Sequence, residues 1–173
     1  VDGTLNLKLI EDFTIDSNFA KESKGIISCT DSFDFIIDTD FEGPINFDCV
    51  GNITLEANNE VNFETVKANT FTNKGTATVN TKLTSGTVTN NGTLTINGQA
   101  ETGNLKNNSI VTITDVNELL ISKKIDNSNG KITGSVKFTG NNINPNSMNL
   151  GNDTSEYKNL TIDTHNEISF AGN

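Results

Sequence analysis

A repeated unit of about 17 residues is the feature of this chain that most restricts its fold. The three clearest copies align without gaps at that spacing: FTNKGTATV (71–79), VTNNGTLTI (88–96) and LKNNSIVTI (105–113). LEANNEVNF (55–63) precedes them at a spacing of 16, and IDNSNGKIT (125–133) follows at a spacing of 20 with one inserted residue. A unit this short cannot bury an apolar face alone, so we expect consecutive units to stack.

The aligned units place their apolar residues in columns. Toward the N-terminus a spacing of 20 aligns DFTI (12–15), SFDF (32–35) and NITL (52–55). Strand alternation puts the columns on one face, and Asn, Gly, Asp and Ser lie between the strands, where they tolerate turn conformations. The predicted columns are Ile15, Phe35, Leu55, Phe71, Val88, Leu105 and Ile125; Ile45, Val61, Ala77, Leu94, Val111 and Ile132; Phe47, Phe63, Val79, Ile96 and Ile113; and a looser set of Leu9, Cys29, Cys49, Val66, Leu83 and Ala100.

These patterns predict an all-β fold, a single-stranded parallel β-helix (β-solenoid) of about 8–9 coils with 16–20 residues each. We expect a right-handed solenoid, since coil length varies and the strict hexapeptide phasing of left-handed solenoids is absent. Residues 116–124 could form one short helix or a bulge. We predict a single domain with acidic coils at 1–44, regular repeats at 45–135, and irregular coils or a cap at 136–173, including an excursion at 140–156 and a last coil from 157.

Composition excludes some functions. Asn (28) and Thr (24) dominate, and all 12 basic residues are Lys. Residues 1–64 hold 14 acids against three Lys, whereas the remainder is nearly neutral. No basic stripe could neutralise phosphates, so we expect no nucleic-acid partner. No run approaches the ~20 apolar residues of a transmembrane helix, so we expect no membrane insertion. The acidity indicates solvated faces, with cation binding or end-to-end association as the functional alternatives.

The segment Asp38-Thr39-Asp40-Phe41-Glu42-Gly43 is the best metal-site candidate. Acids at alternate positions followed by Gly are typical of the first half of a calcium loop. The match is partial, because Cys49 stands where such a loop has its bidentate Glu. We predict weak Ca²⁺ binding by Asp38, Asp40 and Glu42, with a solvated acidic turn as the alternative.

Cys29 and Cys49 lie one coil apart in the predicted register. The usual Cα separation in a disulfide, about 4.4–6.8 Å, spans one solenoid step. A disulfide is therefore possible, and two small apolar core residues are the alternative.

The single histidine, His165, is interpreted as a surface residue.

Two further patterns lie in the regular repeats. One turn position is occupied repeatedly by asparagine, and these residues could form an internal amide ladder that stabilises the turns: Asn73, Asn90, Asn107 and Asn127. The second pattern is a set of stacked Thr-x-Thr pairs. They form a possible outward ligand face similar to the ice-binding face of some solenoids, although outward Thr is also what strand propensity favours. Its members are Thr76, Thr78, Thr93, Thr95 and Thr112.

The repeats TNNGTLTI, KNNSIVTI and TNKGTATV resemble those of β-helical adhesin-like surface proteins of bacteria and archaea, including filamentous-haemagglutinin-type proteins. The resemblance covers residues 45–135 and carries over no functional residue. It implies an extended extracellular scaffold that adheres or assembles. We therefore predict a non-enzymatic structural or adhesive module of an extracellular or cell-surface protein or filament. Its partners would be copies of itself, other surface proteins or glycans.

Two alternatives stay open. One is an ice-binding solenoid. The other is a polysaccharide-active enzyme, because such enzymes commonly use this fold although fold does not imply function. A pectate-type lyase uses an Arg base, and this chain has no Arg. A hydrolase needs two carboxylates that converge on the scissile bond, for which Asp34, Asp38 and Glu60 are candidates.

Overall fold

All of the described secondary structure is β-strand, wound into a parallel β-solenoid of about seven turns. The computed structural model describes residues 2–18, 24–114, 117–140, 148–151 and 154–163. The all-β solenoid prediction is confirmed, and the number of turns is close to the 8–9 expected. The strands are β1 (Asp2–Leu7), β2 (Phe13–Ile15), β3 (Lys24–Cys29), β4 (Asp34–Ile37), β5 (Phe41–Cys49), β6 (Asn52–Leu55), β7 (Glu60–Asn73), β8 (Thr76–Asn90), β9 (Thr93–Ile96), β10 (Gln99–Asn107), β11 (Ile110–Ile113), β12 (Glu118–Asp126), β13 (Lys131–Phe138), β14 (Met148–Asn149) and β15 (Glu156–Ile162).

Each regular coil contributes three strand stretches, and we name the three resulting faces A, B and C. In β7 these stretches are 60–63, 65–68 and 70–73, and each pairs in parallel with the matching stretch of β8. Strands β9 and β11 continue face A. Strands β1, β3 and β5 pair in series up to β7 and carry face B toward the N-terminus, whereas β2, β4 and β6 carry face C.

A stack of phenylalanines runs through the N-terminal half of the solenoid, from the exposed Phe13 into the buried core. Ring centroids of Phe13 and Phe35 lie 5.5 Å apart, those of Phe35 and Phe47 5.3 Å, those of Phe47 and Phe63 5.8 Å, and those of Phe63 and Phe71 5.7 Å. These separations are in the range where aromatic pairs attract each other beyond the effect of buried area. The aromatic stack therefore ties successive N-terminal coils together.

A buried amide ladder takes over where the aromatic stack ends. Asn73, Asn90, Asn107 and Asn127 stack on face C and are completely buried. The Nδ2 atom of Asn73 donates to Oδ1 of Asn90 (2.8 Å), Asn90 donates to Asn107 (2.9 Å), and Asn107 donates to Asn127 (2.7 Å). The predicted ladder is confirmed, and all of its amides point in the same direction.

The two ends of the ladder differ. Leu55 stacks beneath Asn73, so Oδ1 of Asn73 is buried without a hydrogen-bond donor among the described residues. At the other end, Asn127 Nδ2 donates to the carbonyl of Leu150 at 3.0 Å, and the Tyr157 hydroxyl donates to the same carbonyl at 2.6 Å. Burial raises the pKa of Tyr157 above its ordinary value. The ladder thus ends in polar partners on one side only.

The predicted 20-residue register of the N-terminal coils is confirmed between β3 and β5, where Cys29 pairs with Cys49, but it is wrong by two residues on face C. Phe13 pairs with Phe35 and Phe35 with Ile53, which are spacings of 22 and 18. Ile15 and Leu55 therefore belong to the neighbouring column, which continues into the amide ladder. A shift of two residues keeps every side chain on its face, so alternation alone could not detect the error.

The predicted stacking partners are also wrong in the other apolar columns at the point where β5 pairs with β7. The pairing shifts register on both sides of Ile45, which changes the residues that stack there. Leu9 was also misplaced, because Leu7 pairs with Cys29. The observed pairs in place of the predicted ones are Phe41 with Val61, Ile45 with Phe63, and Phe47 with Val66.

The regular half follows the predicted register. Val88 stacks on Phe71, and Leu105 on Val88, at the expected spacing of 17. The helix considered at 116–124 is wrong for the described part of that range, where β12 is a strand. Between Ile121 and Lys124, β12 has one residue more than the stretch of β10 that pairs with it, so the bulge interpretation is correct.

The predicted C-terminal excursion and last coil lie partly outside the described residues. Within the described part, β14 pairs with β12, and β15 pairs with β13. None of the described segments is a helix long and apolar enough to cross a membrane.

Candidate ligand-binding surfaces

The acidic turn predicted to bind calcium uses its carboxylates between coils. Oδ1 of Asp38 accepts a hydrogen bond from Asn59 Nδ2 at 3.1 Å, and Oδ1 of Asp40 accepts one from the Glu60 backbone amide at 2.7 Å. The Glu42 side chain is outside the described part of the structure. Among the residues described, no three His, Cys, Asp or Glu side chains form a group that could hold a metal ion. Both carboxylates therefore have a structural use that requires no cation.

Weak Ca²⁺ binding at this turn stays a prediction. Isothermal titration with CaCl₂ should release or absorb heat on binding. An Asp40→Asn substitution should abolish this heat, because it removes one of the few carboxylate ligands in the turn. An Asp48→Asn variant is the matched control, since it makes the same charge change at a carboxylate that pairs with Lys67 of the next coil at 2.9 Å. Absence of heat, or equal heat from the Asp40→Asn protein, would contradict the site.

Cys29 and Cys49 are brought together on adjacent coils. They pair across β3 and β5 with a Cα–Cα separation of 4.4 Å, and the structure joins their sulfurs in a disulfide. Both side chains are buried on the inner side of face B. The bond connects two coils in the strongly acidic part of the chain, where charge repulsion opposes stacking.

We expect reduction of this disulfide to lower the free energy of unfolding by about 3 kcal/mol, because the bond restricts a loop of about 20 residues in the unfolded chain. Urea unfolding with and without reductant measures the change. A Cys29→Ala/Cys49→Ala double variant should show the lower stability in both conditions. Two free thiols in the unreduced protein, or an unfolding midpoint insensitive to reductant, would disagree with this expectation.

The predicted threonine face lies on face A in the expected register. Its second column extends to Thr133, which pairs with Thr112. Its first column is interrupted by the half-exposed Ile110 and then by Lys131, which pairs with Glu156 at 2.7 Å. Paired columns of Thr are thus limited to two coils. The stacked pairs are Thr76 with Thr93, Thr78 with Thr95, and Thr95 with Thr112.

A groove on face B, with a volume of about 370 Å³, is a surface that the sequence did not indicate. It crosses three consecutive coils, formed there by β8, β10 and β12. Leu83 and Ala100 also border it, but they belong to an inward column and their side chains are only 1% and 3% exposed. Asn117 borders one side, and its Nδ2 donates to the Asn97 carbonyl at 2.7 Å. The rest of the rim consists of Lys82, Gln99, Glu101, Glu118 and Leu120.

Three polar side chains of this groove are exposed and have no protein partner. Some outward polar side chains elsewhere are bonded between coils, as where Asn52 Nδ2 donates to Asp34 at 2.7 Å. By contrast, the side chains of Gln99, Glu101 and Glu118 form no hydrogen bond or ion pair within the described part of the chain. All three side chains are exposed, so water can satisfy their hydrogen bonds.

The other predicted residues are not brought to the groove. Asp34 and Asp38 accept hydrogen bonds from Asn52 and Asn59 on the next coil, and Glu60 begins β7 on face A. His165 lies outside the described residues. Sequence reasoning missed Glu101 and Glu118 because only the observed register reveals that they border one groove.

Comparison with protein-family models, with curated proteins and with solved structures finds no match for this chain.

Proposed function

We propose that this chain is a non-enzymatic structural or adhesive module of an extracellular or cell-surface protein or filament. The observation that carries the proposal is the form of the polar surface: side chains on successive coils stack in columns along a continuous core. Such a rod holds binding groups at fixed positions over a long distance, which suits spacing and adhesion.

Two features support an extracellular place of action. A disulfide between buried cysteines is typical of proteins that fold in oxidising compartments. A surface with formal net charge −10 and no Arg also suits a soluble, non-aggregating extracellular domain. The partners we propose are copies of the chain, other surface proteins, or glycans.

Two experiments test this proposal. Light scattering and electron microscopy measure whether the purified chain assembles as its concentration rises, with and without Ca²⁺. Cell-surface labelling measures where the protein that carries this chain is located. Fibres support a filament module, and a monomer that binds cells or immobilised glycans supports an adhesive one. Turnover of a polysaccharide panel, abolished by neutralising one acidic side chain, would overturn the non-enzymatic proposal, as would an intracellular location.

A further inference from the structure

We propose that Asn91 is a site of spontaneous covalent modification, at which the side-chain amide is lost as ammonia and an aspartate or isoaspartate is formed. Asn91 and Gly92 make the turn between face C and face A, from the end of β8 to the start of β9. Asparagine is chemically labile in proteins, and a following glycine hinders its cyclisation least because it has no side chain. The chain contains three Asn-Gly pairs: Asn91-Gly92, Asn97-Gly98 and Asn129-Gly130.

The reaction needs only the two residues of the turn and water, and it is independent of the proposed adhesive role. The backbone nitrogen of Gly92 attacks Cγ of Asn91, loses its proton to the solvent and forms a cyclic imide, while the Cγ–Nδ2 bond breaks and ammonia leaves. Water then opens the imide. Hydrolysis of the new Cγ–N bond gives aspartate, and hydrolysis of the original peptide bond gives isoaspartate. No oxidant or reductant takes part.

Three features of the turn favour attack at Asn91. Its Oδ1 accepts a hydrogen bond from Asn108 Nδ2 at 2.8 Å, and a donor on this oxygen stabilises the negative charge that develops there during the attack. The Asn91 side chain is exposed, and its Nδ2, the leaving group, donates to no partner among the described residues. The Gly92 N–H also forms no hydrogen bond within the described part of the chain, so the nucleophile is not held elsewhere.

The other two Asn-Gly pairs each lack at least one of these features. Asn97 holds its leaving group in a hydrogen bond, because its Nδ2 donates to Oδ1 of Asn80 at 3.2 Å. The Gly130 N–H donates to the Asn127 carbonyl at 3.3 Å, which occupies the nucleophile that would attack Asn129. All three pairs share the same local sequence, so a difference in their rates must come from the fold.

The main-chain contacts of the turn favour aspartate over isoaspartate as the product. The Asn91 N–H donates to the Asn73 carbonyl at 2.7 Å, and the Thr93 N–H donates to the Gly75 carbonyl at 2.9 Å. Isoaspartate lengthens the main chain between these two bonds, because the chain then runs through Cβ and Cγ. There is no room for the extra atom, since even a Cβ on Gly92 would collide with the Gly75 carbonyl. Aspartate leaves both bonds in place.

Peptide mapping by mass spectrometry tests the proposal on the purified chain, sampled over time in mildly alkaline buffer. We expect Asn91 to react at least about fivefold faster than Asn97 and Asn129, which is the ratio that one hydrogen bond of ordinary strength produces. Aspartate should be the main product at Asn91. In urea the three rates should become equal and the isoaspartate fraction at Asn91 should rise, because the turn no longer constrains the chain.

Two matched variants test the role of the hydrogen bonds. Asn108→Ala removes the donor to Oδ1 and should slow the reaction at Asn91 about fivefold, while the rate at Asn97 stays the same. Asn80→Ala is the control, because it removes the partner of Asn97 and should leave the rate at Asn91 unchanged. Circular dichroism verifies that both variants remain folded.

Equal rates at the three pairs in the folded chain would overturn the proposal. A preference for Asn91 that persists in urea would also overturn it, since the fold would then have no part in the selection. An Asn91 rate that Asn108→Ala leaves unchanged or raises would contradict the role of the Asn108 donor, and isoaspartate as the main product in the folded chain would contradict the constraint on the turn.

Discussion

Asn90→Ala is expected to lower the free energy of unfolding by about 3–5 kcal/mol, although it removes only a small polar side chain. Asn90 accepts from Asn73 and donates both to Asn107 and to the Ile110 carbonyl, at 2.8, 2.9 and 2.9 Å. All three amides are completely buried. A lost hydrogen bond costs about 1 kcal/mol on average, more where a buried partner stays unsatisfied, and a cavity adds to the loss. Equilibrium denaturation in urea measures the change.

Two companion variants separate the contributions to this loss. Asn90→Leu restores most of the side-chain volume, so the destabilisation that remains reports the broken hydrogen bonds. Asn91→Ala changes the next residue, which points outward and accepts one exposed hydrogen bond from Asn108. We expect a change within about 0.5 kcal/mol there, as for most surface substitutions. A loss below about 1 kcal/mol in Asn90→Ala would show that the ladder is not a main source of stability.

Phe63→Ala should destabilise the chain by about 3–5 kcal/mol, the usual range for removing a buried aromatic ring. Phe63 is completely buried and lies between the rings of Phe47 and Phe71, so its loss opens a cavity and breaks two edge-to-face contacts at once. Urea unfolding followed by circular dichroism measures the change. The matched control is Ile10→Ala, because Ile10 is 82% exposed and should contribute within about 0.5 kcal/mol. Equal effects of the two substitutions would contradict the packing described here.

The regular half of the fold could be predicted because its turns have constant length. Between Phe71 and Leu105 each coil has 17 residues, so an ungapped alignment recovers the true pairs. The N-terminal coils alternate longer and shorter turns, with spacings of 22 and 18 that average to 20. On face C an alignment at the mean spacing then names the correct inward residues but the wrong neighbours, whereas between β3 and β5, where the spacing is 20, it names the correct neighbours as well. Inward direction is a local property of the strand, whereas stacking depends on the turns.

The candidate sites show the same distinction. The amide ladder could be predicted because four asparagines recur at one place in the repeat. The groove on face B could not be predicted, because it is lined by residues of different types on three coils. No recurring motif marks Gln99, Glu101 or Glu118, and each of them alone is an ordinary surface residue.

The uniform direction of the amide ladder bears on how a chain of this kind can change length. Each asparagine donates to the coil after it, and each one after Asn73 accepts from the coil before it. The ladder therefore has one unmatched acceptor, at Asn73, within the described residues. Duplicating a 17-residue unit inside the ladder would add one acceptor and one donor together, so the number of unmatched acceptors would stay the same. The penalty for starting the ladder is thus independent of how many coils follow. Tandem duplication could therefore lengthen the rod stepwise without creating a new buried defect.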